Sequence, residues 1–131
     1  MVIRGLENAG PDCVQLNDLR RTAVKSREAL LAGDFAGLGR AMIENTEAQG
    51  RLHPALVGLD AHRLIEVARA NHATGWKVNG AGGEGGSLTI LCNGDEDARK
   101  AMLQAVEQED QTFRNIPIRL SREGLRVWET G

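Results

Sequence analysis

Apolar positions recur at helical spacing through the first half of the chain and change to strict alternation in the second. Leu16, Leu19, Ala23 and Leu30 mark one face of a helix over roughly 11–32, with Pro11 suited to its first turn. Gly33 ends that helix, and the Asp34 side chain can cap the next, whose buried stripe would be Phe35, Leu38 and Met42. The second helix should fade near Gly50. Pro54 biases His53 away from helix, so Arg51-Leu52-His53-Pro54 reads as a connection. A third helix from Asp60 to Asn71 would bury Leu64, Val67 and Ala68.

The period then drops to two. Trp76 and Val78 alternate with Lys77 and Asn79 in a short strand, and Leu88, Ile90 and Cys92 form the inward row of another. Asn93-Gly94 signals a turn, and Asp95 can cap a helix carrying Ala98, Ala101, Met102, Ala105 and Val106. Two further strands are expected, Phe113–Leu120 and Leu125–Trp128, joined by Ser121-Arg122-Glu123-Gly124, with Pro117 confining the first to an edge or bulge. The predicted order is three helices followed by a β-β-α-β-β antiparallel layer. This is an α+β plan related to the ferredoxin-like arrangement.

Composition narrows the function classes. At 131 residues and 41% apolar content the chain suits one domain with a real core, built on aliphatic residues because aromatics are only 3%. A net charge of −2 with both signs interspersed gives no footprint for nucleic acid. No apolar run is long enough to span a bilayer, and the start Met1-Val2-Ile3-Arg4-Gly5 lacks the layout of a signal peptide. Cys13 and Cys92 are too few for a disulfide framework, so a reduced, cytoplasmic protein is expected. His53, His62 and His72, nine and ten residues apart, do not form a metal set. Asp95, Glu96 and Asp97 read as a helix start favoured by the macrodipole.

Between the two first strands, Gly80, Gly82, Gly83, Gly85 and Gly86 fill five of the seven positions from 80 to 86. Glycine loses the most backbone freedom on folding, but it admits positive φ and lets another molecule approach the main chain. Amide groups in such a loop can cradle an anion. The plainer reading is a hairpin loop without a ligand, although five glycines exceed what a hairpin needs. Gly80, Gly82 and Gly85 fit the dinucleotide spacing, yet Ser87–Cys92 reads as a strand where that fingerprint requires a helix. The Walker spacing fails for the same reason, and Gly86 stands where its lysine should be.

Together, Gly75-Trp76-Lys77-Val78-Asn79-Gly80-Ala81-Gly82-Gly83-Glu84-Gly85-Gly86 resembles the third motif of the GHMP kinases. That motif is a Lys-x-x-Gly-Ala-Gly-Gly-Gly-Gly loop between two strands of the C-terminal domain of these ATP-dependent small-molecule kinases. The tail from Asn115 to Val127 is similar to the end of the sugar-kinase branch, including heptose-phosphate kinases. The resemblance spans about Leu16 to Val127. It implies that the whole chain is the C-terminal lobe of a sugar or sugar-phosphate kinase.

By that resemblance Gly80, Ala81, Gly82 and Gly83 would line the nucleotide phosphates, while Gly85 and Gly86 turn the chain into the next strand. Lys77 would reach an anion or stand as a solvated strand lysine; Asn79 would stabilise the turn or donate to a ligand. Glu44, Asn45 and Gln49 form a polar helix side that the resemblance places near the sugar, the alternative being a solvated face. Glu84 departs from the family's glycine, and is expected to point away from the phosphates. The family's Pro-x-x-x-Gly-Leu-Gly-Ser-Ser loop, carried by an N-terminal domain, has no counterpart before Lys77. ATP and Mg²⁺ are therefore expected only in an intact kinase with that domain as partner and a small sugar as substrate. The isolated chain should be inactive, and should self-associate through the face the partner would cover. The other functional class left open is a non-catalytic ferredoxin-like module for ligand binding or protein interaction.

Overall fold

The computed structural model describes residues 13–80 and 86–130. Two long helices come first, α1 (Val14–Ala32) and α2 (Phe35–Leu52). Gly33 between them adopts φ 68°, and the amides of Gly33 and Asp34 bond back to Leu30 and Ala29 at 3.2 and 2.8 Å. The next residue starts α2, as the Asp34 carboxylate accepts from the Gly37 amide at 2.9 Å. One glycine and one aspartate thus stop one helix and start another.

A single 3₁₀ turn (Pro54–Leu56) connects to α3 (Leu59–Ala70). Strand β1 (Gly75–Asn79) and strand β2 (Ser87–Leu91) follow as an antiparallel pair, with Trp76 opposite Ile90 and Asn79 opposite Ser87. Helix α4 (Glu96–Glu109) comes last, its first amides capped by Asp95, whose carboxylate accepts from the Ala98 amide at 2.8 Å. The architecture is mixed α+β, with four helices and a two-stranded sheet among the described residues.

The core lies where the sheet meets α3 and α4. Val57, Ile65, Ala68, Trp76, Val78 and Met102 are buried together, and Ile43, Leu88, Ile90 and Cys92 pack around them. α2 lies on β1 and α1 lies on α2. Arg63 ties α3 to the end of α4, bonding Glu109 and Asp110 at 3.2 and 3.1 Å and covering the Phe113 ring at 5.2 Å.

Three sequence expectations need correction. The four-stranded layer is absent among the described residues, where segments 113–120 and 125–128 carry no strand. Pro117 offers no amide to a ladder. Ile116, Ile118, Leu120, Leu125, Val127 and Trp128 are 64–100% exposed, so their alternation has no sheet to pack on. The buried side of α2 is not Phe35, Leu38 and Met42: Phe35 is 64% exposed, and Gly39, Ala41, Thr46, Ala48 and Gln49 are buried instead. Gly39 lets the helix close on the start of β1, while Ala41 and Ala48, about half a turn round, lie on the side that carries Glu44 and Asn45 toward α1. In α1, Ala23 and Leu30 are exposed, Leu16 and Leu19 are half-buried, and Thr22 is the buried residue, its hydroxyl accepting from the Asn45 amide of α2 at 2.8 Å.

Candidate functional site

β1 delivers the chain to the glycine run, and β2 receives it. Gly80 closes the first strand at φ 63°, a left-handed conformation that glycine adopts without the Cβ penalty. Gly86 is exposed just before Ser87. The candidate residues Ala81, Gly82, Gly83 and Gly85, with Glu84, lie outside the described residues. Both flanking strands stand where the sequence places them, so the loop joins two antiparallel strands and opens no helix.

Asn79 works across the mouth of the hairpin. Its amide nitrogen donates to Ser87 Oγ at 3.1 Å and to Thr89 Oγ1 at 3.0 Å, and its oxygen accepts from the Thr89 hydroxyl at 3.2 Å. This clasp of one amide and two hydroxyls pins the two strand ends to each other. Lys77 is half-buried, and its ammonium donates to the Val78 carbonyl at 2.8 Å. Burial pushes the Lys77 pKa down from its ordinary value, because a charged group there has given up part of its water. An anion close by would favour the charged form and reverse that shift.

The three polar residues of α2 separate. Glu44 meets Lys25 of α1 at 2.6 Å, and the Asn45 amide donates to Thr22 Oγ1 at 2.8 Å. Both serve the α1–α2 pairing. Gln49 faces the other way: its Nε2 donates to the Gly80 carbonyl at 2.6 Å. One turn earlier, Thr46 Oγ1 contacts the Trp76 carbonyl at 3.3 Å and accepts from the Val78 amide at 3.4 Å. The structure therefore brings Gln49 onto Gly80, the loop's first residue, keeps Lys77 and Asn79 on the strand that leads to it, and leaves Glu44 and Asn45 on the side of α2 that meets α1.

Thr46, Gly39 and Gly75 also belong to this arrangement, and none stands out by chemistry in the sequence. A Cβ on Gly39 would overlap the Thr74 carbonyl, and one on Gly75 would overlap the Gly39 backbone. The available signal was glycine in the middle of a helical pattern, which costs stability unless a close contact requires it. Trp76, beside Gly75, is buried beneath the Arg69 guanidinium, which lies 5.4 Å from its ring.

The remaining candidates are structural. His53 accepts from the Ala55 amide at 3.1 Å, and His62 and His72 are exposed. No group of acidic, histidine or cysteine residues among the described residues is arranged to hold a metal ion. Hydrogen bonds from the Thr112 amide and hydroxyl, then from Arg63, hold the Asp110 carboxyl below the usual carboxylate range. Burial raises the Cys92 thiol pKa, with Arg99 opposing the shift. An open depression lined by Gln104, Glu107, Phe113 and Arg114 includes neither Gly80 nor Gly86. Among the described residues no helix is long and apolar enough to cross a membrane. Compared with protein-family models, curated proteins and solved structures, the chain finds no match.

Proposed function

We propose that this chain is the C-terminal lobe of a GHMP-type, ATP-dependent small-molecule kinase, acting on a sugar or sugar phosphate. The observation that carries the reading is the setting of the glycine run. It joins two paired antiparallel strands, with a half-buried lysine three residues before its first glycine and a left-handed glycine at its start. The Lys-x-x-Gly-Ala-Gly-Gly motif requires this strand–loop–strand context, whereas the dinucleotide and Walker loops require a helix.

Phosphoryl transfer depends on positioning the nucleotide and stabilising its charge. In this reading the loop at 80–86 is the secondary wall of the phosphate site. The principal phosphate loop, the Mg²⁺-bearing site and the group that activates the sugar hydroxyl belong to an N-terminal domain. The chain alone should release no ADP in a sugar-dependent manner. Fused behind a sugar-kinase N-terminal domain carrying Pro-x-x-x-Gly-Leu-Gly-Ser-Ser, it should support turnover. Activity of the chain alone, or a folded fusion with none, contradicts the proposal.

One observation favours a second reading. Six large apolar residues from Ile116 to Trp128 are exposed, a surface suited to another protein. A non-catalytic interaction module would use that tail and leave the glycine loop without a ligand.

A further inference from the structure

The outer edge of β1 carries no strand among the described residues, since β2 pairs on the other side. In extended backbone the peptide groups of alternate residues point to the same edge. Trp76 and Val78 form that row, and the Gly80 carbonyl lies one residue past the end of the strand. α2 lies along the row and meets that carbonyl, and Thr46 and Gln49, three residues apart, share the helix face that does so. The Thr46 hydroxyl accepts from the Val78 amide at 3.4 Å and shares its one proton between the Met42 carbonyl of its own helix at 3.1 Å and the Trp76 carbonyl at 3.3 Å. Gln49 donates to the Gly80 carbonyl at 2.6 Å, the shortest contact on this edge. Both residues are polar yet only 5% and 7% exposed. A helix can come this close because Gly39 and Gly75 meet backbone to backbone.

We infer that α2 substitutes for a third strand at this edge, and that Gln49 is a positioning residue for the glycine loop. A real strand could not follow the chain past Val78, because Gly80 leaves the extended region at φ 63°. A side-chain amide on a neighbouring helix can. It grips the carbonyl at the point where regular pairing stops, and a planar peptide unit held at its carbonyl is held as a whole. Gln49 therefore sets the direction in which the chain leaves β1. The consequence for anions rests on the phosphate-facing reading above; the ordering of Gly80 does not.

The test uses the full chain, ¹⁵N-labelled, with three variants. Gln49→Leu puts an apolar side chain of comparable size at the position and removes the donor. Gln49→Glu places a carboxylate against the carbonyl, and can donate only when protonated. Thr46→Val removes the two earlier rungs and leaves the last. Amide spectra and hydrogen exchange are followed first without ligand, then with inorganic pyrophosphate. Gln49→Leu should shift Gly80 and speed exchange at residues 80–86, with the core amides unchanged. It should also weaken pyrophosphate binding by up to about tenfold, the cost of ordering on binding a backbone that the lost hydrogen bond had ordered beforehand. Gln49→Glu should show the same loss at neutral pH and recover the parent spectrum at Gly80 in acid, which a merely structural role would not produce. Thr46→Val should disturb Trp76 and Val78 more than Gly80.

An unchanged Gly80 in Gln49→Leu overturns the inference, as does undiminished pyrophosphate binding by that variant. If the parent chain ignores pyrophosphate while Gln49→Leu still disorders Gly80, the positioning role stands and the phosphate reading falls.

Discussion

Gly39 and Gly75 set how close a helix can come to a strand. Neither has room for a methyl group, since the atoms in the way are backbone on both sides. Gly39→Ala should therefore cost about 1–3 kcal/mol, the usual range for forcing an atom into a filled contact. Gly50, later in the same helix, is the control. A Cβ there would meet only Val57 Cγ2 at 3.7 Å, an ordinary contact. Gly50→Ala should be neutral or stabilising by up to about 1 kcal/mol, as helix propensity favours alanine. Urea midpoints at constant slope measure both changes. Equal effects at the two positions would mean that the α2–β1 contact is looser than described.

The ends of the helices show which signals a sequence carries openly. Gly33 stops α1, Asp34 starts α2 and Asp95 starts α4, each where local chemistry places it. β1 and β2 likewise follow from alternation in a short segment. α3 stops less predictably. His72, with φ 59°, occupies the left-handed position that Gly33 fills in α1, and its amide and that of Ala73 bond back to Arg69 and Ala68 at 3.2 and 3.0 Å. His72→Gly should raise stability by about 0.5–1 kcal/mol, the left-handed strain relieved less the added freedom of the unfolded chain. Thermal melting reads the sign, and a fall would contradict the assignment.

What the sequence hid was contact at a distance. The buried positions of α2 were not legible because hydrophobic periodicity points to large residues, whereas Gly39, Thr46 and Gln49 meet β1 and the small Ala41 and Ala48 lie on the opposite side, the one that carries Glu44 and Asn45 toward α1. The role of Gln49 depended on a carbonyl 31 residues away. The tail misled for the opposite reason: Ile116, Ile118 and Leu120 alternate as a strand does, but alternation makes a strand only when a neighbouring edge takes up its hydrogen bonds.

On the scale of the molecule, α1 and α2 pair beside a small hydrophobic core that joins α2, α3 and α4 to two strands. Polar contacts bind the helix pair, and Arg63 bridges α3 to the end of α4. Gly80 and Gly86, the two ends of the glycine run, stand at one end of the sheet, where Asn79 ties the strands together and Gln49 holds the Gly80 carbonyl. A basic alternative for anions exists elsewhere, because Arg114, Arg119, Arg122 and Arg126 are exposed along the tail. The most direct measurement separates the two: titration of the ¹⁵N-labelled chain with inorganic pyrophosphate, followed amide by amide. The phosphate-facing account predicts weak, saturable shifts centred on residues 80–86, with Gly80 and Gly86 among them. Shifts confined to the arginine-bearing tail, or none at any amide, would contradict it.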